Sequence, residues 1–185
     1  MRSATYQVNE EEILDKIFSF IVKHGLENIT IREMCKGTGI ALGSIYYWFN
    51  GKDELIAEVT EYGLKKVVGD IFDYVYKNAD NPEVLFKNCL SEIRKYKDDL
   101  RFIYQMAASP VYGGKVREHG RECDYVYDKC ADKLAETFGC GADELKPMVY
   151  LFISAVLDYI IWDDEEKSKL QLDFIYNSLK KKINK

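Results

Sequence analysis

The sequence has few of the residues that mark many other classes of protein. Of its 185 residues, of which 47% are hydrophobic, only 3 are proline and 2 are histidine, and its 5 cysteines include no Cys-x-x-Cys pair. This composition excludes collagen-like and disordered chains, and dispersed thiols suit a reducing cytosol better than a disulfide framework. Residues 1–12 contain no apolar signal segment, and the apolar run at 147–162 is interrupted by Asp158 before it reaches the length of an uninterrupted membrane span. We therefore expect a soluble, cytoplasmic protein without a membrane segment.

Side chains that perform catalysis or bind metals are also sparse. His119 and Cys123 stand at i, i+4, a spacing that would place two zinc ligands on one helix face. Cys130 lies seven residues further on, about 10.5 Å along an α-helix, which is too far to share that ion. A buried stripe is the better interpretation, and the sequence shows no nucleophile with a base, no phosphate-binding loop and no catalytic histidine–carboxylate spacing. We expect no metal, no cofactor and no enzymatic activity.

The charge balance at first argues against a nucleic-acid partner. The chain has 26 basic and 31 acidic residues and a net charge of −5, whereas nucleic-acid-binding domains usually carry a basic patch. The net charge is positive within residues 28–52, because this segment contains Arg32, Lys36 and Lys52 against a single acid, Glu33. The overall charge therefore limits the affinity for DNA without excluding it.

Start and stop signals predict short helices followed by a long one. Asn9 precedes three glutamates and is typical of an N-cap, while Thr30 and Glu33 form a capping box that opens a second helix. Glycines interrupt residues 37–51, so the second and third helices must be short. A long fourth helix begins near Lys52.

Beyond residue 52 the apolar spacing is helical throughout, and no stretch alternates long enough to predict a strand. The short, glycine-punctuated elements therefore predict a small N-terminal domain at 1–52, and the long amphipathic helices predict a larger domain at 53–185. The fold class is all-α, with about nine helices.

Two short helices joined by a glycine-containing turn form a helix-turn-helix, which places its second helix in the DNA major groove. Ile45 and Phe49, four residues apart, would face inward. The three consecutive aromatics at 46–48 then face outward or sideways, and their tyrosine hydroxyls and indole N–H are donors that suit phosphate oxygens. The alternative is an aromatic corner within a helical bundle, which the flanking motif disfavours.

This region resembles the DNA-binding domain of TetR-type (tetracycline-repressor-like) transcription regulators. The matching segments are residues 29–33, 39–41, 43–49 and 52–55, and the resemblance is strong over roughly residues 9–56. It implies a three-helix DNA-binding domain joined by a long helix to a helical domain for ligand binding and dimerisation.

The resemblance also implies roles for individual residues in binding DNA. The residues expected to hold phosphates are Thr30, Arg32, Tyr46 and Lys52. The residues expected to face the bases are Leu42, Gly43, Ser44, Tyr47 and Trp48. Position 42 is often lysine or another polar residue in the family, whereas leucine can contact a thymine methyl but cannot hydrogen-bond to guanine.

The apolar composition of the last two helices predicts an interface with a partner chain. The helix at 148–162 is apolar around most of its circumference, which is more than one buried face requires. TetR-type proteins dimerise through their last two long helices, so the resemblance implies a homodimer that presents two recognition helices to a palindromic double-stranded DNA operator. The predicted dimer interface comprises Val149, Phe152, Ile153, Val156, Ile160, Phe174, Ile175 and Leu179.

Aromatic residues are abundant after residue 60, which suits a pocket with apolar walls and scattered polar points. The resemblance implies a small-molecule effector there, and we expect it to be apolar or aromatic. The candidate pocket residues are Phe102, Met106, Tyr125, Tyr127, Asp158 and Trp162. Asp158, alone in an apolar helix, would meet a cationic ligand group, cap a neighbouring helix or lie at the solvent edge, and the sequence leaves these alternatives open.

The sequence therefore predicts a ligand-responsive, sequence-specific DNA-binding transcriptional regulator. It would act as a repressor that leaves its operator when the effector favours a conformer unable to bind DNA. One alternative is a non-enzymatic helical ligand-binding or adaptor protein that has lost DNA binding, which Leu42 and the low positive charge would favour. An enzyme built on a helical pocket is a third class, and it lacks an acid–base pair.

Overall fold

The computed structural model describes residues 9–27, 29–122 and 124–183, and these residues contain helices and no strand. In chain order the elements are α1 (Glu10–His24), α2 (Ile31–Thr38), α3 (Leu42–Trp48), α4 (Lys52–Asn78), α5 (Pro82–Ile93), a 3-10 turn (Arg94–Tyr96), α6 (Lys97–Ala108), α7 (Gly113–Glu122), α8 (Asp124–Phe138), α9 (Ala142–Trp162) and α10 (Glu165–Ile183). The all-α class predicted from the sequence is confirmed.

The described chain forms two compact units. Unit 1 comprises the residues up to 65 together with 102–119, and unit 2 comprises residues 66–101 and those from 120 onward. The boundary predicted at residue 52 coincides with the start of α4, whereas unit 1 also takes in the first half of that helix and a later segment.

The helix starts follow local capping chemistry. Asn9 accepts a hydrogen bond from the backbone N–H of Glu12 at 2.7 Å. At the start of α2, Thr30 and Glu33 each bond to the other's backbone N–H, so the predicted capping box is confirmed. Asn81 caps α5 by accepting from the backbone N–H of Val84. Each cap satisfies a donor that the first turn of a helix leaves without a partner.

Unit 1 is built around the apolar face of α1. The Phe18 ring meets the ring of Phe102 edge-on, with 5.9 Å between their centroids. The buried residues contributed by α1, α3 and its end, and the start of α4 are Ile13, Ile17, Phe18, Ile21, Ile45, Phe49, Leu55, Ile56 and Val59.

Two glycines allow the helices of unit 1 to pack closely. A Cβ atom at Gly37 would lie 2.0 Å from the ring of Phe20, and one at Gly63 would lie 2.1 Å from the ring of Phe18. Both distances are far below van der Waals contact, so α1 can approach α2 and α4 only because these positions lack a side chain.

Unit 2 has its own core. Within it α9 packs against α8 and α10, and α10 also packs against α5 and α8. The core residues are Val75, Ala79, Leu85, Ala131, Leu134, Ala135, Phe138, Leu145, Val149, Ile175 and Leu179. Among the described helices, α9 is long and apolar enough to cross a membrane by length and composition alone.

The side chains of Lys97 and Arg101 bind the turn between α9 and α10. Asp163 follows the last residue of α9 in the left-handed conformation, with φ 59° and ψ 18°. Its carboxylate accepts hydrogen bonds from Lys97 and, at 2.6 Å, from Arg101. The Nε of Arg101 also donates to the carbonyl of Ile160 at 2.7 Å, so it satisfies an acceptor in the last turn of α9. The start of α6 therefore fixes the direction in which the chain leaves α9.

Candidate nucleic-acid interface

The α2–α3 pair has the arrangement that the motif predicts. Gly39 ends α2 in the left-handed conformation, with φ 73° and ψ 9°, and the turn continues through the buried Ile40 to Ala41. α2 packs against both α1 and α3. The first two helices therefore position α3 as the exposed second helix of a helix-turn-helix.

α3 has one buried face and one exposed aromatic face. Ile45 is fully buried and Phe49, just past the helix end, is 2% exposed, so the predicted inward pair is confirmed. Tyr46 and Tyr47 are 57% and 66% exposed, and the ring of Trp48 stands edge-on to that of Tyr47 with 5.1 Å between centroids. Aromatic side chains of this size are rarely left in water by a helix that only fills a core.

The other predicted base-facing residues lie at the start of α3. Leu42 and Ser44 are half-buried and Gly43 is exposed. A Cβ atom at Gly43 would have no heavy atom within 4 Å, so the packing of the chain itself does not require glycine there. The surface beside Gly43 is open to an approaching partner.

Three cations flank α3 without belonging to it. Arg32 and Lys36 are exposed on α2, and Lys52 is half-buried at the start of α4. Such side chains suit the phosphates on either side of a groove. Their number is small, which agrees with the thin basic patch expected from the sequence.

Thr30, a predicted phosphate ligand, is already engaged within the chain. Its hydroxyl accepts from the backbone N–H of Glu33 at 3.2 Å and donates to the carboxylate of Glu33 at 2.8 Å. Hydrogen bonds from the backbone and side chain of Thr30 lower the pKa of Glu33. A phosphate contact by the Thr30 hydroxyl would have to replace its bond to Glu33.

The turn after α3 is fixed by an interaction that was not predicted. The carboxylate of Glu54 accepts hydrogen bonds from the backbone N–H and the side-chain amide of Asn50, at 2.8 and 2.7 Å. Tyr112, from the later segment of unit 1, donates to Asp53 at 3.2 Å. The spacing of Asn50 and Glu54 is a local signal that sequence reasoning could have used, whereas Tyr112 lies 59 residues from Asp53 and gives no such signal.

Residues 13–59 match the family model described as bacterial regulatory proteins, tetR family. This segment of the chain is similar to the DNA-binding domain of that family. The matched span begins in α1 and ends in α4, so it contains the whole α2–α3 motif and the turn after it. No curated protein and no solved structure matches the chain. The TetR-type domain indicates a DNA-binding transcriptional regulator.

The six residues predicted to bind an effector do not form one cluster within either unit. Phe102 and Met106 are buried in unit 1, whereas the other four belong to unit 2. There Tyr125 and Trp162 are 60% and 71% exposed, and Tyr127 packs partly buried against the core.

Asp158 has partners on the neighbouring helix. Its carboxylate lies 2.9 Å from Lys167 and accepts from the amide of Gln171 at 2.9 Å, and these two bonds lower its pKa. The structure gives a contact that is not among the three alternatives left open by the sequence, namely an ion pair and a hydrogen bond that join α9 to α10.

Unit 2 has an open cavity at its surface that sequence reasoning missed. It measures about 290 Å³ and is lined by Asp70, Ile71, Asp73, Tyr74, Lys77, Asn78, Glu92, Ile93 and Tyr96. Burial is the main cause that raises the pKa of Tyr74 to about 12, and it also raises that of Tyr96, whose hydroxyl bonds to Asp70. Both tyrosines therefore remain neutral donors at physiological pH. The spacing of Asp70, Asp73 and Tyr74 along α4 was the available signal.

Most of the predicted dimer residues face the inside of unit 2. Val149, Val156, Ile160, Ile175 and Leu179 are at most 9% exposed in the single chain, and Phe152 and Ile153 are half-buried. Only Phe174 is largely exposed, at 67%. Val149, Ile175 and Leu179 belong to the core of unit 2, where α9 packs against α8 and α10 packs against α5 and α8.

Proposed function

We propose that this protein is a ligand-responsive transcriptional repressor that binds a palindromic operator as a homodimer and acts in the cytoplasm. The observation that carries the proposal is the TetR-type helix-turn-helix with its exposed aromatic face on α3. A C2 dimer would bring two such helices to half-sites one helical turn or a multiple of it apart.

Phosphate binding in this proposal depends on a few specific contacts. Arg32, Lys36 and Lys52 supply the cations, and the exposed hydroxyl of Tyr46 supplies a neutral donor. With so few charges on each protomer, one protomer alone would bind DNA weakly, and dimerisation would double the number of phosphate contacts.

A face of α9 and α10 supports the homodimer. The exposed apolar residues on these helices are Tyr150, Leu151, Ile161, Trp162, Leu170 and Phe174. The hydrogen bond between Asp158 and Gln171 joins the two helices beside this face, and the charge of Asp158 is balanced by Lys167. An extended apolar surface whose nearby charge is already paired suits a second copy of the same chain.

The cavity of unit 2 supports the response to a small molecule. Its wall combines two tyrosine rings with three carboxylates, those of Asp70, Asp73 and Glu92, against the single cation of Lys77. Lys77 pairs with Asp73, and Lys95, outside the wall, pairs with Glu92. One net negative charge remains at Asp70, which favours a compact organic cation over the apolar ligand expected from the sequence. A bound effector would act by preferring the conformer unable to bind DNA.

Electrophoretic mobility shift of the DNA flanking the chain's own gene tests the regulator. We expect retardation by the full chain at protein concentrations that leave random DNA free. Tyr46→Ala should weaken binding roughly thirtyfold, because a dimer loses two phosphate hydrogen bonds of about 1 kcal/mol each. Tyr125→Ala, which removes an equally exposed tyrosine from α8, should bind as the unchanged protein does. Equal retardation of random DNA by all three proteins would contradict the proposal.

Native mass spectrometry of the purified protein tests the effector site. We expect a co-purifying or added organic amine to bind the unchanged protein, and Asp70→Lys to lose that binding because it places a cation in the cavity wall. Lys87→Glu, which lies outside the cavity lining, is the control and should retain the ligand. Equal retention by both variants would rule out this cavity.

A further inference from the structure

The exposed surface of α3 lacks the side chains that usually read bases by paired hydrogen bonds. Its seven residues, 42–48, include no Arg, Lys, Asn, Gln, Asp or Glu. Those are the residues that make bidentate contacts to guanine or adenine, or that accept from cytosine. The cations of the domain lie on α2 and α4 instead, where they suit phosphates.

Four positions on α3 are at least partly exposed and carry no charged or amide side chain. Gly43 and Tyr47 are four residues apart and therefore share a helix face, with Leu42 and Trp48 beside them. A Cβ atom at Gly43 would meet no heavy atom within 4 Å, and the exposed Tyr47 ring stands edge-on to Trp48. Leu42 is the first residue of α3, and the N-terminal residues of a recognition helix approach base edges most closely.

The thymine methyl is the apolar group that a base pair presents in the major groove. We propose that Leu42, together with Tyr47 and Trp48, selects operator half-sites by contact with thymine methyl groups rather than by hydrogen bonds to guanine. This inference rests on the proposed DNA binding, and it names the base chemistry that α3 reads. Contacts with the phosphates would supply most of the affinity, and contacts with the methyl groups would supply the sequence specificity.

Uracil substitution tests the proposal, because uracil has the same hydrogen-bonding edge as thymine and lacks only the methyl. The full-length protein first selects duplexes from a library with a random 24-base-pair core. The most enriched duplex is then synthesised with uracil in place of thymine at the enriched positions, and its Kd is measured against the parent duplex. We expect a loss of about fourfold for each methyl contacted, or roughly fifteenfold for one contact in each half-site.

Two variants separate base reading from general binding. With Leu42→Ala the penalty for uracil at one enriched thymine of each half-site should fall below about twofold, because the methyl at that position has lost its partner. With Lys36→Gln the parent and uracil duplexes should weaken by the same factor, since a phosphate contact does not sense the base. Uracil at thymines outside the enriched positions should leave the Kd unchanged.

The outcomes distinguish this inference from the proposed function. Enriched duplexes that contain no recurrent thymine, or that bind equally with uracil, would overturn the methyl readout while leaving DNA binding intact. A selection that enriches no sequence would overturn sequence-specific DNA binding and the methyl readout with it.

Discussion

At the scale of single residues, Glu54 makes the stability of the turn after α3 depend on pH. Its carboxylate accepts two hydrogen bonds from Asn50, and the backbone bond is the larger cause that lowers its pKa below the ordinary value of 4.5. The stabilisation is therefore complete above pH 4.5 and is lost as the pH falls through the lowered pKa. We expect the Tm of the unchanged protein to exceed that of Glu54→Gln at pH 7, and the difference to shrink towards zero between pH 4.5 and pH 3, by circular dichroism.

The exposed Glu27 provides the matched control, because it carries the same carboxyl group but takes part in neither the Thr30–Glu33 capping box nor the turn at Asn50 and Glu54. The difference in Tm between the unchanged protein and Glu27→Gln should stay nearly constant over the same range. A Glu54→Gln difference that does not change with pH would show that the ionised carboxylate does not stabilise this turn.

At the scale of elements, the corner after α9 depends on backbone conformation as well as charge. An L-residue with a side chain in the left-handed region costs roughly 1–2 kcal/mol, and glycine avoids this cost. Asp163 already bears this cost, and alanine would bear it too. Asp163→Ala should therefore lower the free energy of unfolding in urea by about 1–2 kcal/mol only because it loses exposed ion pairs worth up to about 1 kcal/mol each.

The comparison with Asp163→Gly separates the two contributions. Glycine loses the same ion pairs but adopts the conformation freely, so it should be about 1 kcal/mol more stable than the alanine variant. Equal stability of the two variants would mean that the left-handed conformation has no role.

Some features of the helices could be predicted from the sequence, and others could not. The caps at Asn9 and Thr30 and the inward pair Ile45 and Phe49 depend on residues three or four positions apart, so local spacing was sufficient to predict them. The burial of Val156 and Ile160 depends on which face of α9 the neighbouring helices cover, and an almost wholly apolar helix carries no periodicity that decides it. The predicted effector residues come from distant segments, and their types do not determine which unit they join.

At the scale of the whole molecule, the exposed apolar face of α9 and α10 should control oligomeric state. Phe174 is 67% exposed in the single chain, and a dimer would bury two copies. Phe174→Glu should weaken dimerisation on the order of a hundredfold, because it removes about 1.5 kcal/mol or more of apolar burial from each copy. Sedimentation velocity over a range of concentrations measures this change.

Tyr125→Glu adds the same charge to an exposed aromatic position on α8 and should leave the sedimentation coefficient unchanged. Monomers of the unchanged protein at all concentrations would overturn the proposed homodimer. Dimers of Phe174→Glu as tight as the parent would place the dimer contact elsewhere.

The two tryptophans of the chain make it a natural fluorescent reporter. Trp48 lies on the aromatic face of α3, and Trp162 lies on the exposed apolar face at the end of α9. Replacing either indole with phenylalanine leaves an emission signal from the other alone. One single-tryptophan variant can thus report on DNA binding through Trp48 and the other on self-association through Trp162, without an attached dye.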